Sequence, residues 1–439
     1  MSQPRIIIVG GGFGGLAAAK ALRNTPAEII LIDRTNHHLF QPLLYQVATA
    51  VLTPSQIATP TRGILRNQKN AVVVMGEVTG VDKEKKCVFV TNAGADRCNA
   101  PVSYDYLVLA TGATHSYFGH NEFEEFAPGM KSVADAVATR NKVLQAFELA
   151  EAEEDPRRHR ELLTFVLVGA GPTGVEMAGA LAVLVHKTLK SEFRRVNPAC
   201  ARIVLVDMAP RVLGAFSEDL SEAAKQRLES LGVEVRLGHS VDQIDANGIV
   251  VAGERIASRT VIWTAGVAPS PAGRWLNVQT DRAGRVRVQK DLTVPEHPEI
   301  FVIGDTAAFE QDGKPLPGVA QVAMQQGRYA AKVIQRRLTG GSPPGPFSYF
   351  DKGNMAVVGK GFAVLQSHKV RLSGFGAWLT WAAVHLQFLA TSSLRLSVFL
   401  QWVWTYVTGQ RGSRLIVNHH GPQPKDAAEE ACSSTPAVA

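Results

Sequence analysis

Ile6-Ile7-Ile8-Val9-Gly10-Gly11-Gly12-Phe13-Gly14-Gly15 opens the chain, and Phe165-Val166-Leu167-Val168-Gly169-Ala170-Gly171-Pro172-Thr173-Gly174 repeats the pattern in its middle. Each stretch runs from an apolar strand-like segment through glycines into an Ala-rich helical pattern. A lone G-x-G-x-x-G says little. In this setting the first glycine makes a tight turn, the second lets the backbone approach a pyrophosphate, and the third packs helix on strand. The phosphates then rest on free N–H groups at a helix N-terminus. Two such units predict an α/β chain with two Rossmann-like dinucleotide-binding domains, and two dinucleotides in one protein point to a flavin taking electrons from a nicotinamide. The expected binding residues are Gly10, Gly12, Phe13, Gly14 and Gly15 in the first unit and Gly169, Gly171 and Gly174 in the second.

Working outward, Asp33 closes the strand Glu28 to Ile32 at about the ~20-residue interval expected for an acid that binds ribose hydroxyls, with Arg34 behind it. The corresponding acid of the second unit is Asp207, after the strand Arg202 to Val206. It lies further from its glycines than usual, because the helix between them is expected to run from Gly174 to about Arg195. The first helix is expected over Gly15 to Arg23, and alternation from Ala71 to Val90 predicts a hairpin or meander. The charged run Glu151 to Arg160 reads as a solvated connection. Strands ending in Thr111-Gly112 and Ala265-Gly266 complete the two nucleotide folds. The chain returns to the first at Ile300-Phe301-Val302-Ile303-Gly304-Asp305, where Asp305 is either a strand-end cap or a carboxylate for a polyol such as a ribityl chain. The expected division is 1–125 and 286–345 for the first dinucleotide domain and 126–285 for the second. A C-terminal module at 346–420 and a disordered tail at 421–439 follow.

With 439 residues the chain has room for two or three domains with real cores. Hydrophobic content of 46% with 19% charge is ordinary, and a formal charge of +7 without a basic stripe argues against nucleic acid as a partner. A basic protein is nevertheless drawn to anionic lipid. The four cysteines are scattered without C-x-x-C or metal-ligand spacing, so neither a disulfide framework nor a metal site is expected. No cleavable signal peptide is visible, which puts the catalytic part in the cytoplasm.

Gly374 to Val407 is the most apolar part of the chain and holds Trp378, Trp381, Trp402 and Trp404, four of its six tryptophans. A spanning helix needs ~20 nearly uninterrupted apolar residues. His385, Gln387, Thr391-Ser392-Ser393 and Arg395 break the run into two shorter helices. Trp378, Trp381, His385 and Phe388 share one face of the first, and Leu396, Phe399, Leu400, Val403 and Val407 form a stripe on the second. Such stripes suggest helices lying in a bilayer surface, with packing on the core or in a dimer as the plainer reading. Burial of about six large side chains at ~1.5–3 kcal/mol each gives roughly 10 kcal/mol before ordering costs, enough for stable peripheral binding.

Three further stretches carry a family likeness: Phe40-Gln41-Pro42-Leu43-Leu44-Tyr45-Gln46-Val47-Ala48-Thr49, Val319-Ala320-Gln321-Val322-Ala323-Met324-Gln325-Gln326-Gly327, and Arg411-Gly412-Ser413-Arg414-Leu415-Ile416. From about residue 4 to 417 the chain resembles the type II (non-proton-pumping) NADH:quinone oxidoreductases of the two-dinucleotide flavoprotein superfamily. The resemblance implies non-covalent FAD on the first unit, NADH on the second, and a membrane quinone as acceptor. It also implies a peripheral place on the cytoplasmic face of the inner membrane. Gln46, Gln321 and Gln325 would border the flavin and the quinone entrance, and Glu176 would lie close to nicotinamide and flavin. Relatives usually have Glu where this chain has Asp207; the shorter acid still repels a 2′-phosphate but leaves NADPH open.

Glu176 is either a helix N-terminal acid that stabilises the macrodipole or a carboxylate that orients nicotinamide or relays a proton. Gln321 and Gln325, four apart, share a helix side, where amides either face solvent or bind a quinone carbonyl without bringing charge into an apolar pocket. His186 and His385 read as structural. Disulfide reductases carry a cysteine pair where this chain has Phe40-Gln41-Pro42, and sulfide:quinone oxidoreductases also need paired cysteines, so neither chemistry fits. A flavoprotein with a soluble acceptor (ferredoxin-reductase-like), a membrane-associated NADH-binding redox sensor, and a homodimer all stay open.

Overall fold

Strands without a polar face must be covered on both sides, and the chain builds two sheets from them. The computed structural model describes residues 3–92, 100–190, 192–342 and 344–417. The larger sheet has eight strands in the order Thr293–Val294, His297–Val302, Tyr106–Leu109, Arg5–Val9, Glu28–Asp33, Ala71–Asp82, Cys87–Asn92 and Ala100–Ser103. Its five strands from His297–Val302 to Ala71–Asp82 are parallel, and the others pair antiparallel at the two edges. The smaller sheet is parallel, in the order Val233–Leu237, Arg202–Asp207, Thr164–Val168, Thr260–Trp263. Ile6, Ile7 and Ile8 in one sheet and Phe165, Val166 and Leu167 in the other are fully buried. The chain crosses between the sheets on a two-stranded antiparallel ribbon, Ala113–His115 against Val267–Pro269.

The helix after the first glycine turn runs Phe13–Ala21, starting and ending two residues earlier than expected. The second glycine helix runs Pro172–Val183 and continues only as a wider turn, Leu184–Thr188, closed by Leu189 N–H donating to the Leu184 carbonyl at 3.0 Å. The expected continuation to Arg195 is therefore wrong. The carboxylate of Glu151 takes the backbone N–H groups of Arg194, Arg195 and Val196 at 2.9–3.1 Å, holding that segment outside a helix. Nor is Glu151 to Arg160 a plain solvated connection. Glu151 lies in the helix Val133–Ala152, and Asp155 caps a second one, Pro156–Leu162, by accepting from Arg157 N–H at 2.8 Å.

A three-stranded meander, Asn354–Val357, Ala363–Ser367 and Val370–Gly374, leads into the helices Phe375–Phe388 and Ser392–Thr408. It lies against the second glycine helix so closely that a Cβ on Gly179 would stand 2.7 Å from Gly359 N. Of the face expected to point outward on the first C-terminal helix, only Phe388 is exposed. Trp381 is buried and His385 half-buried against the core, whereas Phe375, Leu379 and Phe388 face out. With apolar residues all round, this helix buries the side that meets the meander. The second helix does expose Leu396, Phe399, Leu400, Val403 and Val407. Among the described residues no helix is long and apolar enough to cross a membrane. The tail expected at 421–439 lies outside the described residues.

A Cβ on Gly15 would stand 1.8 Å from Gly10 O, and one on Gly174 1.8 Å from Gly169 O, whereas a Cβ on Gly12 would meet nothing within 4 Å. Gly15→Ala and Gly174→Ala are therefore expected to cost about 3 kcal/mol or more each, lowering the melting temperature by several degrees in calorimetry. Gly12→Ala is expected to melt within about a degree of the parent.

Candidate dinucleotide sites and the Glu176 cavity

The two glycine turns are built to one plan. Gly10 N–H donates to Ile32 O at 2.8 Å and Gly169 N–H to Val206 O at 2.8 Å, each tying the turn to the neighbouring strand. Both glycines are left-handed, with φ of +102° and +108°. A Cβ would lie 2.3 Å from Ala110 O in the first and 2.6 Å from Ala265 N in the second. Asp33 accepts Gly11 N–H at 2.5 Å, and Asp207 accepts Ala170 N–H at 2.5 Å. The longer spacing to Asp207 thus leads to the same place. Each carboxylate also takes a backbone N–H two residues on, Thr35 or Ala209 at 2.7 Å, and keeps lone pairs for hydroxyl donors. Gly12 and Gly171 start their helices without a side-chain cap, and a Cβ on either would meet open space. Free N–H groups above an open cradle are what a pyrophosphate requires, so the residues present fit a dinucleotide at both turns.

Strand-end loops complete the first site. Gly14 abuts the helix Ala320–Leu338, where its Cβ would stand 3.2 Å from Ala323 O, and Phe13 meets His38 and Phe40 edge to face at 5.1 and 5.9 Å. The Thr111 hydroxyl pairs with that of Ser270 and lies 3.2 Å from that of Thr306, which donates to Gly112 O at 3.1 Å. Gly304 N–H donates to the buried Gln326 amide at 2.7 Å. Asp305 follows, close to Gly318 and to Lys131; burial pulls the Lys131 pKa down and the Asp305 charge partly restores it. Arg34 is exposed. Ser270, Thr306 and Lys131 carry no signal in the sequence, because they reach the loops only through the folded topology.

The glutamines divide. Gln325 is occupied by the backbone of Phe350, donating to its carbonyl at 2.9 Å and accepting its N–H at 3.0 Å. Gln321 donates to Gly353 O at 3.3 Å and leaves its buried Oε1 without a partner. Gln46 accepts the Trp402 indole N–H at 2.7 Å and donates to the Tyr45 hydroxyl at 2.9 Å, joining the second C-terminal helix to the Phe40–Thr49 segment.

Tyr45, Gln46 and Trp402 line a cavity of about 250 Å³ together with Glu176, Trp381 and Arg411. Glu176 is buried on the second glycine helix and accepts Val357 N–H at 3.3 Å. Burial pushes its pKa up to about 8, against lesser opposing effects of that bond and of the nearby Trp381 indole, so the carboxyl carries its proton at neutral pH. Glu176 stands beyond the first turn of the Pro172–Val183 helix, where the pull of a helix N-terminus has largely fallen off. His385 stacks on Trp381 at 4.4 Å, and burial holds its pKa near 4. Arg411 donates to Thr49 O at 2.6 Å and Ala180 O at 3.1 Å, and burial lowers its pKa to about 9. In the sequence it is one residue of a signature with no role attached; structurally it ties the chain's end to both glycine-turn units. Among the described residues no group of three or more His, Cys, Asp or Glu gathers as a metal site.

Two nucleotide folds of one plan in one chain define a pyridine-nucleotide flavoprotein. The family model for pyridine nucleotide-disulphide oxidoreductases matches residues 4–327. A type II NADH:quinone oxidoreductase of Mycobacterium tuberculosis is 47% identical, over 94% of this chain and 90% of its own length. A second one from that organism is 44% identical over 94% and 89%. Among solved structures, NDH2 from Plasmodium falciparum in complex with NADH superposes with a TM-score of 0.85, at 20% identity, over 95% of this chain and all of that one, which shows the shared fold. The chain belongs to the pyridine nucleotide-disulphide oxidoreductase family and, within it, to the type II NADH:quinone oxidoreductases.

The neutral Glu176 makes a pH prediction. Its pKa is higher folded than unfolded, so the folded chain holds an extra proton between about pH 4.5 and 8, and stability falls as pH rises through that window. Glu176→Gln removes this dependence. Its melting temperature is expected to match the parent near pH 5 and to exceed it by a few degrees above pH 8, read by differential scanning fluorimetry.

Proposed function

We infer that this chain oxidises NADH and delivers two electrons to a quinone, without pumping protons. The observation that carries the reading is the repeated turn geometry, Gly10 with Asp33 and Gly169 with Asp207, at two sites fit for dinucleotides. The flavin is FAD on the first turn: an acid poised for ribose hydroxyls beside a pyrophosphate cradle suits an adenine dinucleotide better than a mononucleotide. NADH takes the second turn, where the Asp207 charge opposes a 2′-phosphate. When bound, the flavin supplies the relay that accepts hydride from nicotinamide and passes two electrons to quinone.

The chain's own part is binding, orientation and control of protons. Gly10, Gly12, Gly15, Thr111, Gly112, Gly304 and Asp305 hold the flavin dinucleotide, and Gly169, Gly171, Gly174, Ala265 and Gly266 hold NADH. Trp378, Trp381 and Trp402 wall the cavity with apolar surface that limits water. Glu176, which lines that cavity, would hold a proton there for the bound rings. Gln321, with its free carbonyl oxygen, and Gln46 border the flavin and the quinone. Gln325 serves instead by fixing the Phe350 segment next to them.

The division 1–125 with 286–345, 126–285 and 346–420 matches these roles, and the last part is the membrane-binding module. The exposed stripe Leu396, Phe399, Leu400, Val403 and Val407 rests in the bilayer surface, placing the protein peripherally on the cytoplasmic face of the inner membrane. Lipid, rather than a second copy, covers it.

Two experiments test this. The purified flavoprotein, given NADH and a short-chain quinone, is expected to consume one NADH for each quinol formed; NADH consumption without quinol rejects the acceptor. Replacing Leu396, Phe399, Leu400 and Val403 with serine is expected to cut sedimentation with anionic vesicles at least tenfold while flavin content stays constant.

A further inference from the structure

Phe118 has a left-handed backbone, φ +53°, and its ring is 66% exposed. Both are unfavourable for a bulky apolar residue, whose Cβ crowds the chain in that region and whose ring gains little when left in water. Its local contacts are few: its N–H reaches Ser116 Oγ at 3.3 Å, and its ring pairs with that of Trp263 at 6.3 Å, tilted by 55°. The residues before it are pinned. Ser116 O accepts the Trp263 indole N–H at 2.9 Å, and the buried Tyr117 donates its hydroxyl to Ala127 O at 3.0 Å. The segment is thus held on the smaller sheet while Phe118 is turned outward, the kind of strain that collects at ligand clamps.

The ring covers Gly266. A Cβ there would lie 2.5 Å from Phe118 Cζ. Gly266 follows Ala265, whose N would lie 2.6 Å from a Cβ on Gly169, so Phe118 stands at the strand end that faces the second glycine turn. That strand, Thr260–Trp263, and Thr164–Val168 flank the crevice where the sheet order reverses. Ligands of open α/β sheets bind outside the carboxyl ends of the strands at such a reversal.

We propose that Phe118 is an aromatic platform against which a flat ring of the nicotinamide dinucleotide stacks. The inference rests on the reading of the second turn as the NADH site. An exposed ring face at the rim of a dinucleotide crevice offers area and a π surface to either oxidation state of the ligand. Gly266 is glycine in part because the platform occupies the space a side chain would need.

The test uses the flavin-loaded full chain and NAD+ as probe, titrated calorimetrically, with Phe118→Gly, Phe118→Leu and Phe118→Tyr. The NAD+ Kd is expected to rise about fivefold to tenfold in the Gly and Leu variants and to stay within about twofold of the parent in Tyr. KM for NADH is expected to rise more than kcat falls. Glycine adopts the left-handed backbone freely, so Phe118→Gly is expected to melt no lower than the parent. Unchanged affinity in Gly and Leu, or a lower melting temperature in Gly with affinity kept, overturns the platform and leaves Phe118 a surface cap. A parent protein that binds no NAD+ overturns the NADH reading along with it; binding indifferent to the ring overturns this inference alone.

Discussion

The rest of this molecule depends on how closely a helix can approach the turn that precedes it. Gly15 and Gly174 have no Cβ, and each lies directly over the carbonyl of the glycine that opens its turn. Only then do Gly12 and Gly171 bring uncapped helix N-termini to the strand ends, and only then do Asp33 and Asp207 reach the turn backbone. The contact is steric, so it is strict, and the chain meets it twice. That geometry positions the remainder of each unit, the apposed loops at Ala110 and Ala265 included.

The C-terminal helices are part of the same construction rather than an appendage. Trp402 bonds Gln46, Gln56 donates to the Ser397 hydroxyl at 3.0 Å, and Arg411 spans Thr49 and Ala180. The Arg411 guanidinium is buried on those two carbonyls, and its Nε is left without a partner among the described residues. A cation held this way makes a poor stability device and a good registration device, because any shift of the helices leaves it unpaired. The helices close the cavity over Glu176 with one side and turn Leu396, Phe399, Leu400, Val403 and Val407 outward with the other.

Much of this was legible in the sequence where sterics or burial dictate residue type. The glycine turns, Asp33, the meander after Ala71 and the return at Ile300 could be read because sterics, charge or burial narrow the residue types those positions accept. What failed was set by distant partners. The helix after Gly174 gives way to a wider turn at Leu184, and Glu151, far off in sequence, holds the N–H groups of Arg194 to Val196 outside any continuation. The first C-terminal helix is apolar all round, so its pattern could not say that Trp381 and His385 face inward. Nothing local reveals that the Gln325 amide also meets the backbone of Phe350. The Glu176 proton came from burial under a meander whose docking the sequence does not announce.

One chain takes electrons from NADH and passes them to a quinone. The most direct test is anaerobic rapid mixing of the flavin-loaded protein with NADH and then with a short-chain quinone, with flavin absorbance as the readout. Fast bleaching and then fast recovery are expected. A flavin that NADH does not bleach, or that bleaches and is not restored by quinone, would contradict this.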